Sequence, residues 1–133
     1  MKFCYTIIYV EDVKAATVFY NEAFSIETKF IHESGDYAEL ETGETTLAFA
    51  AFSLGESNFP SGFTKLTDME PPVGIEIALV TDDVESAVVN SIAAGATPIS
   101  GPVTKPWGQT VAYVRAPDGT LIELCTPVGG NSS

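Results

Sequence analysis

The chain has 133 residues, enough for one substantial core and too few for two independent globular proteins. It carries 18 acidic against 6 basic side chains, a formal charge of −12 that repels phosphate, excludes nucleic acid as a partner and favours a cationic ligand. Apolar residues make up 45% of it, yet no apolar run is long enough to cross a bilayer, and Met1-Lys-Phe-Cys-Tyr5 leads into strand-like residues without a cleavage signal. The expectation is a cytoplasmic protein with no membrane partner.

Tyr5-Thr-Ile-Ile-Tyr-Val10 reads as a first strand, and Val13, Ala16, Thr17, Tyr20 and Phe24 fall at helical spacing behind an N-capping Asp12. Three strand-like stretches follow at about 26–33, 36–42 and 45–52, the last two joined by the turn Glu41-Thr-Gly-Glu44. The stretch 53–72 holds Gly55, Pro60, Gly62 and Pro71-Pro72, and reads as a linker. Its Phe59, Phe63, Leu66 and Met69 predict that it packs against something.

The pattern then repeats at an offset of 71 residues, which sets Tyr5–Val13 over Glu76–Val84. Each copy is an apolar run ending in an acidic pair and a valine. The second helix has the stripe Val84, Ala87, Val88 and Ile92, either Asp82 or Asp83 as cap, and Gly95 as its stop. Strands follow at about 97–103, 109–115 and 120–126, with Ala116-Pro-Asp-Gly119 as a type I turn. The organisation is one domain over 1–133: module one at 3–52, linker at 53–72, module two at 73–127, and a frayed tail at 128–133. The fold class is α+β, with two tandem βαβββ modules forming a cup-shaped, half-open β-barrel and the helices outside.

The two cysteines, Cys4 and Cys125, lie far apart in sequence and read as free, buried thiols. His32, the single histidine, reads as a surface residue at a strand end.

Tyr9-Val-Glu-Asp-Val13 running into Val18-Phe-Tyr20, Ile77-Ala-Leu-Val-Thr-Asp-Asp83, Pro106-Trp-Gly108 and, most specifically, Ala116-Pro-Asp-Gly-Thr-Leu-Ile-Glu-Leu124 resemble the vicinal oxygen chelate superfamily. That superfamily includes glyoxalase I, extradiol dioxygenases and bleomycin-resistance proteins. The resemblance covers about residues 3–127. It places the metal-ligand positions of catalytic members at Tyr5, Ala48, Glu76 and Glu123, where glyoxalase I has His, Glu, His and Glu. Only Glu123 matches. Ala48 offers no ligand atom, and a tyrosine must lose a proton of pKa near ~10 before it binds a metal well. No metal and no other cofactor is therefore expected; if one is present, Glu76 and Glu123 hold it. The resemblance is closest in character to the metal-free bleomycin-resistance branch, and implies a homodimer.

The candidate ligand-binding residues are Tyr5, Tyr9, Ala48, Glu76, Trp107 and Glu123, with Glu76 and Glu123 the candidates for any catalytic role. Two carboxyls on paired strands have three outcomes open to them: sharing a proton, weakly holding a divalent ion, or gripping a ligand ammonium or guanidinium. The preferred function is a small-molecule binding protein, of sequestering or resistance type, for a cationic or amphipathic ligand. Two alternatives stand beside it. One is a metal-dependent lyase or dioxygenase-like enzyme with an atypical carboxylate site. The other is a metal-free acid–base enzyme.

Overall fold

The structure is a computed structural model, and it describes residues 1–128. The expectation of a frayed tail falls, for 129–133, outside the described residues. The chain divides into two compact units, Met1–Lys65 and a second that begins at Leu66. The division falls inside the stretch read as a linker.

In the first unit, alternation of apolar residues gives β1 (Tyr5–Val10). The helical spacing that follows gives α1 (Val13–Phe24). The Asp12 side chain accepts from the Ala15 amide at 3.0 Å and caps α1, a contribution of about 1 kcal/mol. Next come β2 (Thr28–Ile31), β3 (Tyr37–Leu40) and β4 (Thr46–Ala51). The strands form one open sheet in the order β1-β4-β3-β2, with β1 parallel to β4 and the other pairs antiparallel. Alternation sends Ile8, Val10, Ala38, Leu40, Leu47 and Phe49 toward α1, where all are buried. The Tyr20 and Phe49 rings meet at 5.0 Å between centroids. Each such fully buried large side chain contributes about 1.5–3 kcal/mol.

The stretch 53–72 carries structure of its own. Phe52–Asn58 is a short helix, α2. Gly55 hides it from a propensity argument, since glycine weakens a helix. Its presence is explained by packing: a Cβ at Gly55 would lie 2.6 Å from the Phe63 ring and 2.9 Å from Tyr9. The apolar residues of this stretch do pack, with Phe59 and Phe63 on Tyr9 at 5.7 and 5.1 Å.

The second unit repeats the plan. It contains β5 (Glu76–Val80), α3 (Val84–Ala94), β6 (Thr97–Thr104), β7 (Thr110–Arg115) and β8 (Leu121–Cys125), in the order β5-β8-β7-β6. Asp83, not Asp82, caps α3, accepting from the Ser86 amide at 3.0 Å. The inner stripe of α3 differs from expectation at its end. Ile92 is exposed, and Ser91 is buried instead, its hydroxyl bonded back to the Val88 carbonyl at 2.9 Å. The inner stripe runs Val84, Ala87, Val88, Ser91, at i, i+3, i+4 and i+7, and Ile92 falls one residue past it. Each sheet is open at both edges, and neither closes into a barrel.

Before β5, the segment Leu66–Asp68 forms one 3-10 turn. Arg115 holds this segment through carbonyls. Its Nη2 donates to Leu66 and Met69 at 2.8 Å each, and its Nε donates to Gly119 at 3.2 Å. Gly119, the last residue of the predicted type I turn, has φ +96°, and its amide donates to the Ala116 carbonyl at 2.9 Å.

Candidate functional site

In the second module, the face of the sheet away from α3 is set by register. Glu76 pairs with Leu121, and Ala78 pairs with Glu123, along the parallel β5–β8 ladder. Tyr113 pairs with Glu123 across β7–β8. Paired residues point the same way, so Glu76, Glu123 and Tyr113 share one face. Ile122, Leu124, Ala112 and Val114 take the opposite face and are buried under the helix side.

On that shared face Tyr113 Oη donates to Glu123 Oε1 at 3.2 Å. Glu76 hydrogen-bonds Glu123, and this bond, then burial, then the charge of Glu123 push the Glu76 carboxyl up to about 7. Two carboxyls in contact cannot both ionise cheaply, so the pair retains a proton well above the usual carboxylate range. The Tyr113 phenol is raised as well, by burial first and then by Glu123. Cys125 is buried, and burial, then its contact with Glu123, raises its thiol. It is a poor nucleophile in this state.

Glu76 and Glu123 are thus brought together as the strand pairing predicts. Trp107 lies in the β6–β7 turn, 59% exposed, with its Nε1 donating to Gln109 Oε1 at 2.9 Å. Gln109 Nε2 in turn donates to the Thr126 carbonyl at 2.9 Å. The indole is therefore pinned, its polar edge is satisfied, and a ring face is left for stacking.

The remaining candidates lie in the first module, on the face of the sheet away from α1. Tyr5 pairs with Thr46, Ile7 with Ala48, and Tyr9 with Ala50. Tyr5 is 53% exposed and Ala48 fully buried. Tyr9 is walled by Phe59 and Phe63, so it is a packing residue as much as a free phenol. His32 is exposed at the β2–β3 turn, where its Nδ1 bonds the Ser34 hydroxyl at 2.7 Å and Ser34 bonds Asp36.

Sequence reasoning missed one residue of this face. Glu39 on β3 pairs with Ala48 and is 9% exposed. Tyr37 Oη donates to Glu39 Oε2 at 2.9 Å, and burial, then this bond, push the Tyr37 phenol up to about 12. The alternation Tyr37-Ala-Glu-Leu40 carried the signal, with Ala38 and Leu40 on the helix side and Tyr37 and Glu39 on the other.

The donor set does not fit the family's catalytic metal. Ala48 has no donor atom and Tyr5 brings a phenol. Among the described residues, no three His, Cys, Asp or Glu side chains gather where they could hold a metal ion.

Two open mixed sheets, each built as βαβββ with the long helix of its module on one face, define the glyoxalase fold. The glyoxalase-like domain family matches residues 3–129, and the chain belongs to that family. Solved structures agree on the fold. A glyoxalase/bleomycin resistance protein/dioxygenase family enzyme from Burkholderia phytofirmans PsJN superposes with a TM-score of 0.80 at 21% identity, covering 95% of this chain and 98% of that one. A glyoxalase-related enzyme from Fulvimarina pelagi gives 0.79 at 18% identity, over 96% and 88%. A glyoxalase/bleomycin resistance protein/dioxygenase from Nocardioides gives 0.68 at 18% identity, over 98% and 86%. No curated protein sequence matches the chain.

Proposed function

We propose that this protein binds a small organic cation through Glu76 and Glu123, and that it is a binding protein of sequestering type without a resident metal. The observation that carries the reading is the carboxyl pair itself. Glu76 hydrogen-bonds Glu123, Tyr113 donates to Glu123, and no basic side chain pairs with either acid among the described residues. A ligand ammonium or guanidinium displaces the shared proton and replaces one hydrogen bond by several charge-assisted ones. The formal charge of −12 draws such a ligand in. Trp107 supplies a flat surface for the apolar part of a ligand. In this reading the protein is cytoplasmic and dimeric.

Calorimetric titration with benzamidine and with benzylammonium tests it, using wild type and Glu123→Gln. Saturable binding that weakens at least about tenfold in Glu123→Gln supports the proposal, the loss expected for one charge-assisted pair. Equal binding by both proteins, or binding of benzoate in preference to benzylammonium, contradicts it.

The alternative, an enzyme with an atypical carboxylate metal site, rests on the same two glutamates. It predicts one tightly held divalent ion per chain in protein prepared without chelators.

A further inference from the structure

Glu39 sits in the first module, on a different sheet from Glu76 and Glu123, and the reading above makes no use of it. It is the one charged side chain that is buried among the described residues, with 9% of its surface exposed. Its Oε2 accepts from Tyr37, and its Oε1 has no protein hydrogen bond among the described residues. None of the six basic side chains pairs with it. Arg115 spends its donors on backbone carbonyls, and Lys65 lies over the Phe52 ring at 4.6 Å. An unpaired buried carboxylate is costly, and a cation from outside the chain removes that cost.

The neighbours of Glu39 decide which cation. Across the β2–β3 ladder its partner is Phe30, whose ring lies 6.2 Å from that of Tyr37. Tyr5, from β1, is close enough to Tyr37 to act on it electrostatically. Ala48, the partner on β4, adds no bulk. The carboxylate is therefore bonded by Tyr37 and paired in register with Phe30 on one side and an alanine on the other. A divalent metal needs several oxygen ligands and finds one carboxylate here. An alkylated ammonium needs one negative charge and ring faces for its polarised methyl groups, and finds both.

We propose that Glu39, with Tyr37 and Phe30, forms a second binding site, in the first module, for an alkylated ammonium ion. It differs in kind from the Glu76–Glu123 pair. That pair calls for N–H donors, whereas this site accepts a cation that has none.

Benzyltrimethylammonium chloride is the probe, because it cannot donate a hydrogen bond. It is titrated into the full-length chain while the ring signals of Phe30 and Tyr37 are followed by NMR. The expected result is a saturable shift of both rings that persists in Glu123→Gln and weakens at least about tenfold in Glu39→Gln. Phe30→Leu, at an exposed position, serves if Glu39→Gln fails to fold, and it weakens binding about threefold or more. Absence of a saturable shift in the wild type, or an unchanged shift in both Glu39→Gln and Phe30→Leu, overturns the proposal. Loss of benzylammonium binding at Glu123 alone leaves it standing, because the two sites share no residue.

Discussion

Tyr113 and Glu123 occupy opposed positions on β7 and β8, and the phenol donates to the carboxylate at 3.2 Å. That bond holds one oxygen of Glu123 as an acceptor. The adjacent Glu76 then holds the proton that the pair retains. An ordered acid pair results, with one member fixed by a neighbour and the other free to titrate.

The first prediction concerns pH. The Glu76 carboxyl is raised from an ordinary 4.5 to about 7 in the folded protein. A group with a raised folded pKa stabilises fully below its unfolded value and loses that contribution as pH rises through the folded value. Stability is therefore expected to fall between pH 4.5 and about 7, by less than about 1 kcal/mol because Glu76 is exposed and screened by water. Glu76→Gln flattens this slope. Urea unfolding across that range checks it, and equal slopes for both proteins contradict it.

Tyr37 supplies the second prediction. Its phenol is pushed up to about 12, by burial first and then by Glu39. At about pH 11, where ordinary tyrosines are largely ionised, Tyr37 stays protonated in the folded protein. Its contribution to stability is complete below the unfolded value of 10 and disappears as pH rises toward 12. Ultraviolet titration of wild type against Tyr37→Phe isolates the late step. At neutral pH Tyr37→Phe costs about 1–3 kcal/mol, because Glu39 loses its donor while remaining buried.

The turn at Gly119 gives the third. A Cβ there would lie 2.7 Å from the Leu66 carbonyl carbon, and φ is +96°. Gly119→Ala is expected to cost about 2–4 kcal/mol, from strain and overpacking together. Denaturant unfolding measures it. A cost under 0.5 kcal/mol would show that Leu66 moves freely.

At the end of α1 the sign reverses. Ser25 holds the left-handed C-cap at φ 58°, where its amide donates to Asn21 at 2.9 Å. Ser25→Gly relieves that conformation and is expected to raise stability by roughly 0.5–1 kcal/mol, seen as a higher thermal midpoint.

The order of elements was legible because it rests on period and repetition. The 71-residue offset sets Tyr5 over Glu76, and these residues begin β1 and β5. Strand ends were less legible: the stretch 26–33 shortens to Thr28–Ile31, since an edge strand pairs on one side only. α2 was not legible, because Gly55 answers to Phe63 and Tyr9 rather than to helix propensity. At the site, Glu76 and Glu123 were legible from the family resemblance, which sets them on paired strands. Glu39 was not legible because the family's ligand positions fall on the first and last strands of each module, whereas it stands on β3 opposite Ala48. The pinning of Trp107 by Gln109 depends on the loop from Lys105 to Gln109, whose closure no periodicity encodes.

The central claim is that Glu76 and Glu123 share a proton which an organic cation displaces. Carbon-detected NMR of the two carboxyl carbons, followed through pH with and without benzylammonium, tests it most directly. The account predicts a Glu76 midpoint at about 7 in the free protein and a lower midpoint once the amine is present. A Glu76 midpoint at the ordinary 4.5, unmoved by the amine, contradicts it.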